Sequence, residues 1–190
     1  TGITSVSEGI LSLGNSLAMQ NSALETSGSI VGDATNGLKT TVTTLTLGGL
    51  LGDKNLASIF TTTSGGYSGL TALTLNPGST DIHEYSGVIA NGAAGMSLTK
   101  SGAGTQILAG ANTYTGTTAI TAGALALGAN NVMPDISNLI IGNATLDAAS
   151  FTDTLGSLDI GATATIHLDA DAVLSFSDSS AIDWTGGALN

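Results

Sequence analysis

No cysteine occurs among the 190 residues, so neither a disulfide framework nor a thiolate metal site can organise this fold. Arginine is absent too. Lys39, Lys54 and Lys100 are the whole cationic complement against 14 acidic residues, giving a formal net charge of −11. A nucleic-acid surface needs clustered Lys and Arg to displace counterions, so nucleic acid is excluded as a partner. Anionic lipid and acidic polysaccharide are disfavoured on the same ground. No apolar run approaches the ~20 residues of a membrane-spanning helix. Aromatics are only 4%, too few for the girdles of a membrane barrel, so the chain is not expected to be embedded in membrane. Thr1 is followed by polar residues rather than a basic and then apolar run, so the sequence reads as a mature or trimmed piece. Proline is nearly missing at 2, while glycine reaches 27, so the turns are made by glycine. Charged residues are 9%, far below the roughly 25% of ordinary globular chains, which leaves the surface to Thr, Ser and Asn.

What is present is apolar and repetitive. Hydrophobic residues make 42%, so a core of Leu, Ile, Val and Ala is available and a disordered chain is not expected. Thr1 to Gly14 aligns without gaps against Thr115 to Gly128, with identity at Thr1/Thr115, Gly2/Gly116, Thr4/Thr118, Gly9/Gly123, Leu11/Leu125, Leu13/Leu127 and Gly14/Gly128. Self-similarity of this kind marks a fold built by stacking one unit. The same short element recurs at Leu11–Gly14, Leu45–Gly48, Leu125–Gly128, Leu139–Gly142 and Leu158–Gly161: two apolar residues at i and i+2, then glycine. Each predicts a short strand with one face inward, closed by a turn. Leu73 to Leu75 is the same strand ended by Asn76-Pro77-Gly78. The longest alternation runs from Leu158 to Leu168, with Asp159, Thr163, Thr165 and His167 on the opposite face. Ser16 to Glu25 lacks strand punctuation but fits a turn and strand, and no helix is predicted. At roughly 20–25 residues per coil and ~4.8 Å per coil, the chain makes about eight coils in a rod of about 40 Å.

The stretch Leu98 to Gly128, LTKSGAGTQILAGANTYTGTTAITAGALALG, resembles the passenger-associated repeat of autotransporter proteins, also called the autotransporter-associated β-strand repeat. Ile107 stands where that pattern favours leucine. Tyr85 to Ile89 is similar to what commonly precedes the repeat, and Thr1 to Gly14 carries its back half. The resemblance implies an all-β, right-handed parallel β-helix (a β-solenoid) on the surface of, or secreted from, a Gram-negative bacterium. Residues 1–190 are then expected to be a single repeat domain, a fragment of a longer protein. Absence of cysteine suits a chain threaded unfolded through an envelope pore.

No catalytic, cofactor-binding or metal-binding residue is expected. His83 and Glu84 lack a third ligand nearby. His167 sits on the outward face of its alternation. Ser68 misses the Gly-x-Ser-x-Gly elbow because Leu70 follows Gly69. Gly102-Ala103-Gly104 opens neither a dinucleotide fingerprint nor a phosphate loop. Asp147, Asp153, Asp159, Asp169, Asp171, Asp178 and Asp183 are read as solvated, because the calcium nonapeptide is missing and sugar-stacking aromatics are scarce. Asn112 either stacks between coils or closes its own Asx-turn, and Tyr114 packs a corner. Trp184, in Ser177 to Asn190, closes the last coil. The expected function is a rigid extracellular stalk or fibre, stacking on neighbouring repeats or on identical subunits end to end. The alternatives are an adhesin for a glycan or protein, with Lys54 to Tyr67 as the candidate loop, and thirdly a polysaccharide-degrading enzyme.

Overall fold

Each run of alternating apolar residues becomes one short strand, and the glycine-containing stretches between them turn the chain. The computed structural model describes residues 2–28 and 31–177. Its strands begin with β1 (Gly2–Ser5), β2 (Ile10–Leu13), β3 (Met19–Glu25), β4 (Gly37–Thr40), β5 (Thr44–Leu51) and β6 (Ala72–Leu75). There follow β7 (Ile82–Tyr85), β8 (Ser97–Lys100), β9 (Thr105–Leu108), β10 (Thr118–Ile120), β11 (Ala124–Leu127) and β12 (Leu139–Ile141). The last are β13 (Thr145–Asp147), β14 (Thr152–Leu155), β15 (Leu158–Ile160), β16 (Thr165–His167) and β17 (Val173–Phe176). Among the described residues the only helical elements are two 3-10 turns, Leu56–Ile59 and Tyr67–Gly69.

One sheet carries eight strands in the order β1-β3-β5-β6-β8-β10-β12-β15, and a second carries β7-β9-β11-β13-β16. Smaller pairs, β2-β4 and β14-β17, form further faces. The neighbours pair in parallel, each strand against its counterpart one coil on. This is the stacked β-solenoid expected from the repeats. The step from coil to coil is not uniform. It is 20 residues from Leu98 to Thr118 and 19 from Leu139 to Leu158, but 28 from Thr44 to Ala72.

The interior is built of columns. Leu45, Leu73, Leu98, Thr118, Leu139 and Leu158 lie above one another, and beside them run Leu47, Leu75, Lys100, Ile120, Ile141 and Ile160. All twelve are buried. Each aliphatic member contributes about 1.5–3 kcal/mol by leaving water. Facing them, His83, Gln106, Leu125, Leu146 and Ile166 form a column from the second sheet.

Two strand expectations change in detail. Leu45–Gly48 does not end at its glycine, since β5 runs on to Leu51 with Gly49 at φ 150°. The Leu158 to Leu168 alternation is two strands, β15 and β16, around a corner at 161–164. The inward face is interrupted at the corner, where Ala162 is exposed, resumes half-buried at Ala164 and Ile166, and ends before Leu168, which is 48% exposed. Ser16 to Glu25 is a turn followed by β3, as the turn-and-strand reading has it.

Candidate functional site

The residues with chemical potential fall into three groups: interior polar residues, an outer-face histidine, and a cleft beside one of the long coils. Lys100 is the most distinctive of the first group. It stands in an aliphatic column between Leu75 and Ile120. Its stem is fully buried and its Nζ donates to the carbonyls of Ser101 (2.7 Å), Gly102 (3.0 Å) and Ala122 (3.0 Å). Burial pushes its ammonium down to about 8. It ties two successive turns together from inside and is not available to a substrate.

Gln106, one residue pair further on, is also fully buried. Its Oε1 accepts from Leu50 N at 2.9 Å and its Nε2 donates to the carbonyls of Leu50 (3.0 Å), His83 (3.1 Å) and Ile107 (3.1 Å). A side chain thus supplies the hydrogen bonds that a strand neighbour would otherwise give Leu50. Thr118 shares its hydroxyl with Tyr114 Oη (2.6 Å) and Ser137 Oγ (2.8 Å), and Ser137 donates to Gly116 O (2.9 Å). Tyr114 is a packed corner residue, as its place in the corner predicts, and burial raises its phenol well above the usual range.

Asn112 closes no turn of its own. Its Oδ1 accepts from Ile89 N (2.8 Å) in the coil before, and its Nδ2 donates to Val132 O (2.9 Å) in the coil after. One coil further, Asp153 accepts from Val132 N (3.0 Å), Met133 N (2.9 Å) and Thr154 N (2.8 Å). These two residues stitch one corner across successive coils. Asp153 was expected among the solvated acids. It is instead fully buried, because it takes the inward position two residues before Leu155 in β14, and burial pushes its carboxyl up against three N–H donors that pull it down.

His83 and Glu84 cannot share a metal, because consecutive strand residues point apart: His83 is buried and Glu84 exposed. Among the described residues no cluster of three or more His, Asp or Glu side chains could hold a metal ion. His83 lies under Gly49, where a Cβ would strike its ring, and burial lowers its imidazole below the ordinary value. His167 is exposed, as its outward position predicts, but it is held: Nδ1 lies 2.9 Å from Asp147 Oδ1 and Nε2 3.6 Å from Asp169 Oδ1. The Asp147 hydrogen bond, reinforced by both carboxylate charges, raises His167 above 6.5. The stabilisation this gives is fully present below the unfolded-state value and is lost as pH rises through the folded-state one. A proton NMR titration is expected to place the His167 midpoint above 6.5, and Asp147→Asn to return it towards that value.

The cleft lies beside the 28-residue step between Thr44 and Ala72. It encloses about 270 Å³ between the turn at 40–43 and residues 64–66, 68 and 69. The loop that forms its far wall is fixed at both ends. Thr61 N donates to Leu38 O (2.7 Å) and Thr40 N to Gly65 O (2.6 Å), while the buried rings of Phe60 and Tyr67 pack 5.2 Å apart at 58°. Tyr67 Oη donates to Ala90 O at 2.7 Å, anchoring the loop to the following coil. Ser68, no part of a nucleophile elbow, lies in this wall. Trp184 and residues 178–190 lie outside the described residues.

Asp153 belongs to no motif, and Gln106, though inside the Leu98–Gly128 repeat, is not singled out by it. The signal that locates them is parity: each shares the inward face with a leucine two residues away, Leu108 and Leu155. Among the described residues no helix is long and apolar enough to cross a membrane. No curated protein and no solved structure matches the chain significantly. Residues 98–127 match the family model described as passenger-associated-transport-repeat. That segment runs from β8 through β11, and its Lys100, Gln106, Asn112 and Thr118 side chains join coil to coil. This part of the chain is a repeat of the autotransporter passenger type.

Proposed function

We propose that the chain is a non-enzymatic structural module of a secreted or surface protein of a Gram-negative bacterium, a rigid spacer whose length is set by its number of coils. The parallel pairing of the eight-stranded sheet, in register from β5 to β15 and shifted once between β3 and β5, supports this reading most strongly. Hydrogen bonds between coils run along the stack, so each coil adds ~4.8 Å of length with little freedom to bend. The passenger-type repeat at 98–127 supports the extracellular setting. The interior side chains of Lys100, Gln106, Asn112 and Asp153 are spent on backbone carbonyls and amides, which suits a scaffold rather than a reacting centre.

End strands of a solenoid pair with further coils, either of the same polypeptide or of a second subunit, through open sheet edges. Negative-stain electron microscopy over a concentration series tests this. Short rods that lengthen into fibres as concentration rises are the expected result. Dispersed short rods at every concentration would remove end-to-end assembly and leave the spacer. Turnover of a polysaccharide panel, abolished by changing one late aspartate, would overturn the non-enzymatic reading.

The second reading is an adhesin-type module. The observation that favours it is the anchored cleft beside the 28-residue step from Thr44 to Ala72, which overlaps the Lys54 to Tyr67 insertion.

A further inference from the structure

We propose that the cleft between 40–43 and 64–69 is a binding site for one ring of an uncharged saccharide. This rests on the adhesin-type reading and names its ligand class and place. The walls carry hydroxyls, glycine backbone and one valine, and no charged side chain lines them. The hydroxyls of Thr41, Thr43, Ser64 and Ser68, all on exposed residues, make no hydrogen bond among the described residues and are open to water or a ligand. Free hydroxyls each donate once and accept twice, which matches the paired donor and acceptor character of a polyol. A cation would need carboxylates that the walls lack. An anion would have to approach a chain of net charge −11 whose nearest cation, Lys39, lies with its stem against Gly65 and is not among the lining residues. An aromatic ligand would need more apolar surface than Val42 provides. The volume of about 270 Å³ lies just below the roughly 300–1,000 Å³ of sites for drug-sized ligands, so it suits a single ring.

The site is also pre-formed. Its loop is held by Phe60, Tyr67 and two backbone hydrogen bonds, so little ordering is required on binding. Gly69, one of the lining residues, borders open space, since an added Cβ there meets nothing within 4 Å. By contrast, a Cβ on Gly66 would lie 2.6 Å from Thr61 O, so the wall itself tolerates no side chain there.

Titration of the ¹⁵N-labelled chain with maltose, cellobiose and chitobiose, followed by amide shifts, tests the proposal. At least one is expected to give saturable shifts confined to 40–43 and 64–69, with a dissociation constant on the order of 1 mM. Digalacturonate, the charged control, is expected to give none. Gly69→Gln, which adds a long side chain at a lining residue without a steric clash, should abolish the response. Thr43→Val, which keeps shape but removes one hydroxyl, should weaken it about three- to tenfold. Saturable shifts elsewhere, retained in Gly69→Gln, would overturn the cleft assignment and leave the adhesin reading standing. Equal binding of digalacturonate would overturn the uncharged class. No saturable shift with any probe would overturn the site.

Discussion

Lys100→Ala is expected to destabilise the chain by at least ~4 kcal/mol, the largest loss from any single side chain described here. Truncating a buried side chain of this length costs about 2–5 kcal/mol through lost contacts and the cavity left behind. It also strips the carbonyls of Ser101, Gly102 and Ala122 of their donor, at about 1–3 kcal/mol for each that water cannot reach. Against this stands the desolvation of the ammonium, visible in its fall to about 8. Lys100→Met keeps the stem between Leu75 and Ile120 and sheds that desolvation, so it should recover much of the loss without restoring the donors. Guanidinium unfolding measures both. Because contacts in a solenoid are between neighbouring coils, damage at mid-stack should also broaden or split the transition. Thr99→Val, on the outer face beside it, should stay within ~0.5 kcal/mol. Equal stability of Lys100→Ala and the parent would refute the interior tie.

Gly110→Ala is expected to be nearly as damaging, at more than ~3 kcal/mol, for a steric reason. A Cβ there would collide with the carbonyl oxygen of Gly87 and lie 2.7 Å from that of Ser86. These are backbone atoms of the preceding coil. The coil cannot retreat without breaking hydrogen bonds such as Ala109 N to Tyr85 O at 2.9 Å. The glycine of the repeat is therefore a spacing device rather than a flexible joint. Gly14 supplies the contrast, since a Cβ there meets nothing within 4 Å and its φ is not positive. Gly14→Ala should be neutral, or stabilising by about 0.4–1 kcal/mol. Thermal melts by circular dichroism separate the two. If both substitutions behaved alike, the coils would not be packed as closely as described.

The strand positions were legible because period-2 alternation and glycine closure act locally. Leu125 and Leu127 point inward for the same reason that Leu11 and Leu13 occupy the matching places of β2. The stacking itself was legible from the repeats. The varying coil length was not, because insertions such as 52–69 change loops without touching the alternation that marks strands. The inward polar residues were legible only in part. Parity places Lys100, Gln106 and Asp153 inside, but composition argues that charged groups belong outside. Besides adjacent backbone groups, each takes a partner from a coil about twenty residues away, and Gln106 also from Leu50, 56 residues back. The cleft was invisible in sequence, since only the folded turn at 40–43 brings Thr41 and Thr43 against Ser64 and Ser68.

Because the chain lacks cysteine, spin labels can be placed in pairs without altering the background. Thr46, Thr74, Thr99, Ala119, Ile140 and Asp159 follow one another up the outer face of the long sheet. Electron–electron distances from Thr46 to Ala119, Ile140 and Asp159 should rise in equal steps, about 14, 19 and 24 Å, at ~4.8 Å per coil. Distances that fail to grow with coil number, or that fall between Ala119 and Asp159, would mean that the strands do not stack in parallel register.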